Sequence, residues 1–135
     1  LVVLPRLASP IAQRRRRRNP GQYGEYLAGR FLRRHGYRII ARNLRTRFGE
    51  VDLVALTPDR GTLVIVEVKT ALEPDLLPEL RVDFDKQRRL LKLAVPVARL
   101  CRRENMPLRF DIVGVNLPAN KRISIRHHPG AFQAR

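Results

Sequence analysis

Two carboxylates stand inside runs that should exclude charge. Asp52 sits within Val51-Asp52-Leu53-Val54-Ala55, and Glu67 follows Val64-Ile65-Val66 and precedes Val68-Lys69. Burying an ionised carboxylate costs several kcal/mol unless it is paired or holds a cation. Glu67 and Lys69 lie two apart on a strand, so they project from one face, about 7 Å apart along it. The tight turn Thr57-Pro58-Asp59-Arg60-Gly61 joins the two strands as an antiparallel hairpin, which can bring Asp52 beside Glu67. Glu25 can reach both if the helix that carries it packs over the sheet. Two or three hard oxygen ligands, completed by water and phosphate oxygens, suit Mg²⁺ or Mn²⁺. Such an ion activates water and neutralises the pentacovalent phosphate of phosphodiester hydrolysis, with Lys69 orienting the water. Taken singly, each residue has a plainer reading. Glu67 and Lys69 can be a surface ion pair, Asp52 an acid satisfied by backbone donors, and Glu25 a salt bridge to an arginine one turn away. Their combination in a strongly basic chain is what points to chemistry.

The 135 residues carry 28 Lys+Arg against 12 Asp+Glu, a formal net charge of +16. Such an excess repels itself in the folded state and points to a polyanionic partner. Of the basic residues, 24 are Arg and 4 are Lys. The arginine fork grips phosphate oxygens bidentately, so nucleic acid is expected. Residues 1–24 carry six Arg and no acid, with Arg14, Arg15, Arg16, Arg17 and Arg18 unbroken. Residues 1–20 are expected to form a disordered basic tail that orders on phosphate, and residues 21–135 one domain. The opening Leu1-Val2-Val3-Leu4 does not read as a signal peptide, because Pro5 and Arg6 interrupt it. No apolar run approaches the roughly 20 residues of a membrane span. The single cysteine, Cys101, excludes an internal disulfide and a cysteine-rich zinc site, and it fits a reducing, cytoplasmic setting.

Periodicity supplies the elements. Tyr23, Leu27 and Phe31 recur at helical spacing, with Arg33, Arg34 and His35 in the last turn and Gly36 as the stop. A short strand is expected over 37–42, a basic connection with Arg45 and Arg47 over 43–48, and strands over 50–56 and 62–70. The third is apolar on both faces at its start and should be covered on both sides. A loop with Pro74 and Pro78 leads to Asp83, which can cap a long helix over 84–104, kinked at Pro96. Strands over 108–115 and 122–126 complete the order αβββαββ. The helix between the third and fourth strands makes them a parallel pair. This is an α/β domain with a central mixed sheet flanked by helices.

Five blocks in this order carry a resemblance. They are Glu25; Gly49-Glu50-Val51-Asp52; Val66-Glu67-Val68-Lys69; Lys86-Gln87-Arg88-Arg89; and Arg109-Phe110-Asp111-Ile112-Val113. Together they resemble the YraN family, UPF0102, which is related to the restriction-endonuclease-like, or PD-(D/E)XK, superfamily and to archaeal Holliday-junction resolvases. Val51 stands where the superfamily pattern has proline. The resemblance implies a restriction-endonuclease-like fold, with Asp52, Glu67 and Lys69 at the nuclease core. It implies Glu25 as an added helix-one acid and Gln87 as a supporting polar residue. Glu50 shares a strand face with Asp52 and is a secondary candidate.

The expected activity is metal-dependent endonucleolytic cleavage of structured or branched DNA. The alternatives are a non-catalytic nucleic-acid-binding module of the same fold, and a scaffold recruiting a DNA-processing partner through the loop over 71–82. Glu25, Asp52 and Glu67 would hold Mg²⁺ or Mn²⁺. Arg14 to Arg18, Arg45, Arg47, Lys86, Arg88 and Arg89 would contact nucleic acid. A homodimer is open, and neither a membrane nor a small-molecule cofactor is expected. His127 and His128, adjacent on a strand, point to opposite faces and should not ligate together. Cys101 lies on the apolar stripe of its helix and reads as core.

Overall fold

The computed structural model describes residues 2–4, 19–119 and 121–133. Strands β1 (Val2–Leu4), β2 (Arg38–Thr46), β3 (Gly49–Leu56), β4 (Leu63–Ala71), β5 (Leu108–Asn116) and β6 (Ile123–Phe132) form one sheet. Their spatial order is β1-β6-β5-β4-β3-β2. Helix α1 (Pro20–Arg34) precedes β2. A 3-10 turn (Pro78–Arg81), α2 (Phe84–Leu91) and α3 (Ala94–Leu100) lie between β4 and β5. Among the described residues no helix is long and apolar enough to cross a membrane.

The β3–β4 hairpin is antiparallel and β4–β5 is parallel, as the sequence predicts. Alternation splits β4 between two cores. Val64, Val66 and Val68 meet Tyr23, Leu27, Phe31 and Leu32 of α1. Leu63 and Ile65 meet Leu90, Leu93 and Val97 on the opposite face. The strand is therefore covered on both sides, which explains its near-continuous apolar run.

Four expectations change. Residues 43–48 are no loose connection: β2 runs to Thr46 and turns through Arg47-Phe48 directly into β3. Thr46 Oγ1 fixes that turn by donating to the Gly49 carbonyl (2.9 Å) and accepting the Phe48 N–H (3.1 Å). The long helix is two helices, because Pro96 has no N–H to donate and its ring would strike the carbonyl four residues back. The break falls at Lys92-Leu93, where Leu93 donates to Leu90 at 3.0 Å, one residue tighter than the α spacing. Val2–Leu4 do not belong to the tail: they pair antiparallel with Ile123–Ile125 and cover what would be an open apolar sheet edge. Arg14 to Arg18 and the rest of 5–18 lie outside the described residues. Finally, β6 continues to Phe132, which stacks on Phe110 with ring centroids 5.0 Å apart.

Candidate active site

The β3–β4 ladder ends at the pair Leu53–Val66. One residue further, Asp52 turns its side chain across the gap, and Oδ2 accepts the Val68 N–H at 2.8 Å. On the other flank, Asn43 lies between the paired Arg42 and Leu44 with φ +48°. Asn tolerates this left-handed conformation better than most residues. Pairing with β2 keeps its register past Asp52, while pairing with β4 stops, so the carboxylate faces the open end of the β3–β4 ladder.

Glu67 is 5% exposed. Its Oε1 receives two ammonium groups, Lys86 Nζ at 3.3 Å and Lys69 Nζ at 3.6 Å. Lys86 belongs to the first turn of α2, whose N-cap Asp83 accepts the Lys86 N–H at 2.9 Å. The cap predicted from sequence therefore fixes the residue that reaches Glu67. Lys86, expected to contact nucleic acid, thus stands beside the acids with its ammonium on Glu67. A lysine three residues after a capping Asp carries that signal, since it must lie in the helix's first turn.

Glu25 arrives from α1. The preceding residue, Gly24, is buried against Thr70 of β4, and a Cβ there would overlap the Thr70 hydroxyl. This close approach brings Glu25 to the sheet end, within electrostatic reach of Asp52, Glu50 and Glu67. Burial raises the Glu25 pKa, and the charges of Glu50 and Glu67 raise it further; the Asp52 contact and Arg42 oppose them. Asp52 is pushed up to about 7, by burial first, then by Glu67 and Glu25, against the Val68 N–H and Lys86. Three carboxylates from α1, β3 and β4 thus feel one another strongly. Near pH 7 Asp52 therefore keeps part of its protonated form, where an ordinary carboxylate would be ionised.

This is a donor set that favours a divalent cation, because the cation replaces the proton and relieves the repulsion. Direct ligation by all three acids is not what the side chains form. Among the described residues no group of three or more His, Cys, Asp or Glu side chains is arranged to hold a metal ion. Two lysines already address Glu67 Oε1. Magnesium commonly takes only one or two carboxylates with several waters, so Asp52 and Glu67 fit as ligands and Glu25 as a partner of bound water. An open cleft of about 240 Å³ adjoins the cluster, lined by Pro20, Gly21, Glu25, Lys69, Thr70 and Arg81 among others.

The remaining candidates divide. Gln87 donates to the Val82 carbonyl at 3.2 Å and so ties α2 to the preceding turn. Glu50 pairs with Arg45 at 3.6 Å on the surface. Arg47 sits over the exposed Phe48 ring at 5.3 Å, and Arg88 pairs with Asp85 at 3.5 Å. Arg89 is exposed. The histidines diverge as expected: His127 Nε2 meets Asp111 at 2.7 Å, and His128 Nε2 meets Glu79 at 3.0 Å. Both acids were missed as organising residues. Asp111 is 1% exposed and takes a two-pronged contact from Arg109 at 2.8 Å plus the Gly130 N–H at 2.9 Å. Burial would raise its pKa, but His127, Arg109 and Gly130 hold it below the ordinary range. Burial acts likewise on Glu79, where the Arg126 fork at 2.6 and 2.9 Å, with His128, holds the pKa down to about 2. The Arg109-x-Asp111 spacing was a usable signal, while Glu79 and Arg126, 47 residues apart, left none.

The uncharacterised protein family UPF0102 matches residues 24–115, which span the three acids and both lysines. A UPF0102 protein of Symbiobacterium thermophilum is 44% identical over 118 residues, covering 87% of this chain and 98% of that one. One from Solibacter usitatus is 42% identical over 124 residues, covering 90% and 92%. One from Pelobacter propionicus is 39% identical over 117 residues, covering 86% and 84%. Among solved structures, Pyrococcus furiosus SfsA in complex with Ca²⁺ is similar with a TM-score of 0.35 and 17% identity, covering 80% of this chain and 61% of that one. On the family match and these identities, the chain belongs to the UPF0102 family.

Proposed function

We propose that this protein is a metal-dependent, endonuclease-like phosphodiesterase of the restriction-endonuclease-like type, acting on structured or branched DNA in the cytoplasm. One observation carries the reading. Glu25, Asp52 and Glu67 share one electrostatic environment at the end of a sheet, beside two lysines, in a chain of net charge +16. Asp52 and Glu67 would hold Mg²⁺ or Mn²⁺, and Glu25 would accept a hydrogen bond from water there. Bound at this place, the ion supplies a nucleophilic water at neutral pH and charge for the developing phosphorane. Lys69, at the cleft, orients the attacking water. Lys86 offsets the Glu67 charge and, with Glu67 as a ligand, would be available to a phosphate oxygen. The basic surface draws in the polyanion and fixes its register.

A second reading has its own support. Lys69 and Lys86 pair with Glu67, and burial raises the pKa of both Glu25 and Asp52, so much of the cluster's charge is offset without any ion. That balance suits a non-catalytic nucleic-acid-binding module. Labelled junctions, flaps and duplexes incubated in Mg²⁺ or Mn²⁺, beside the Asp52→Ala/Glu67→Ala variant, separate the two. The enzyme reading expects cleavage by the wild type alone. Binding that falls steeply with salt, is indifferent to divalent ions and gives no product on any substrate leaves only the module.

A further inference from the structure

The segment 72–85 is the inverse of the chain around it. It holds five of the twelve acids, Glu73, Asp75, Glu79, Asp83 and Asp85, against one base, Arg81. It also exposes Leu72, Leu76, Leu77, Leu80 and Phe84, with Leu80 75% exposed. Scattered exposed leucines need no explanation, but a run of them on one segment marks an interaction surface.

This segment is also fastened down. Asn116 Nδ2 donates to the carbonyls of Glu73 and Leu76, both at 2.7 Å. Arg126 grips the buried Glu79 with both prongs, and Arg81 donates to the Thr70 carbonyl at 2.8 Å. Gly114 has no side chain because one would strike the Glu79 carboxylate. Buried polar contacts on the inner side thus hold the backbone while the leucines face out. A surface ordered in advance loses less entropy on docking than a loose loop does.

We propose that this acidic, apolar surface docks a second copy of the chain. Its exposed acids, Glu73, Asp75, Asp83 and Asp85, outnumber its one base, Arg81, and repel nucleic acid and anionic lipid, so its occupant is basic and apolar. The chain itself offers such a face: α3 exposes Val95 and Leu100, with Lys92, Arg99 and Arg102 exposed around them. In a two-fold dimer each segment 72–85 meets the other copy's α3 face, so the contact is made twice and closes. Self-pairing of the acidic segments would set like charge against like charge, which favours the reciprocal arrangement. Leu72 and Arg81 line the cleft beside Glu25 and Lys69, so the second copy stands at the cleft rim.

The test is the mass of the nucleic-acid-free full chain across a micromolar concentration series, by sedimentation or light scattering. The wild type is expected to be dimeric, and Leu77→Glu/Leu80→Glu monomeric with unchanged circular dichroism. Glu73→Lys/Asp75→Lys and Arg99→Glu/Arg102→Glu should each shift toward monomer, and mixing them should restore a dimer, because the reversed contact and the native contact are then both complementary. A monomeric wild type overturns the proposal, whatever else then binds the segment. So does a dimer that survives the leucine changes, or charge reversals that fail to recover on mixing. The readout needs neither DNA nor metal, so it stands or falls apart from the hydrolytic reading.

Discussion

Asp52 takes the place of a ladder contact: its Oδ2 accepts the Val68 N–H at 2.8 Å, two residues beyond the last β3–β4 pair. The carboxylate thereby holds two strands together while lying among other acids. Its pKa rises to about 7 from 3.8, through burial and then through Glu67 and Glu25. A raised acid binds its proton more tightly when folded, so this group favours folding at low pH and loses that contribution as pH climbs through about 7. Asp52→Asn keeps an acceptor for Val68 and removes the charge. Urea unfolding at pH 5 and pH 8 should show the variant gaining on the order of 1–3 kcal/mol over wild type at the higher pH. Mn²⁺ should raise the wild-type Tm at pH 8 and leave the variant unmoved. A variant less stable at both pH values would mean that the Val68 contact outweighs the repulsion.

Lys86 and Lys69 both address Glu67 Oε1, at 3.3 and 3.6 Å. Each competes with any cation for that oxygen. Lys86→Met should therefore tighten Mn²⁺ binding in calorimetry. At the same time it should cost roughly 10²-fold in hydrolysis, the scale of one electrostatic group at a developing charge. Weaker Mn²⁺ binding in the variant would show that Lys86 holds Glu67 in place for the ion instead of competing with it.

The acids at the sheet end were legible because a charge inside an apolar run is costly, and that cost does not depend on knowing the fold. Asp52 and Glu67 were found this way, whereas Glu25 entered as the acid of a helix able to pack over the sheet; the parallel crossover after β4 needed only a helix between strands. What escaped notice depended on tertiary pairing. Asp111 looked like one more strand acid until Arg109, His127 and the Gly130 N–H closed around it. Val2–Leu4 looked like part of a tail because a three-residue strand carries no period, and its partner lies some 120 residues away. The Lys86 charge was visible in the sequence, while its pairing with Glu67, directed by the Asp83 cap, was not.

The Asp111 cluster is expected to bear on stability alone. The acid is 1% exposed, and Arg109 and Tyr37 complete a chain of contacts, with Arg109 donating to the Tyr37 hydroxyl at 2.9 Å. Asp111→Ala strands a guanidinium and an imidazole, and breaking a buried pair in this way costs about 3–5 kcal/mol. Denaturant unfolding should register that loss. Nucleic-acid affinity at a temperature where the variant is folded should not change, and a selective loss of affinity would place this cluster in the binding surface.

Gly24 tests whether the reach of Glu25 is set by backbone approach. A Cβ there meets Thr70 Oγ1 head on, with Thr70 Cγ2 at 3.2 Å and Cβ at 3.1 Å. Helix propensity alone would make Gly24→Ala favourable by up to about 1 kcal/mol. The overlap reverses that sign, because α1 must lift from β4 and carry Glu25 with it. Gly24→Ala is thus expected to lower the Tm and to weaken Mn²⁺ binding together. Adding Thr70→Ala removes Oγ1 and Cγ2, leaves one tight contact, and should recover most of both losses. If stability returns while Mn²⁺ affinity stays low, the helix has regained its packing without restoring Glu25, and the water held by that acid is the part of the site that approach distance controls.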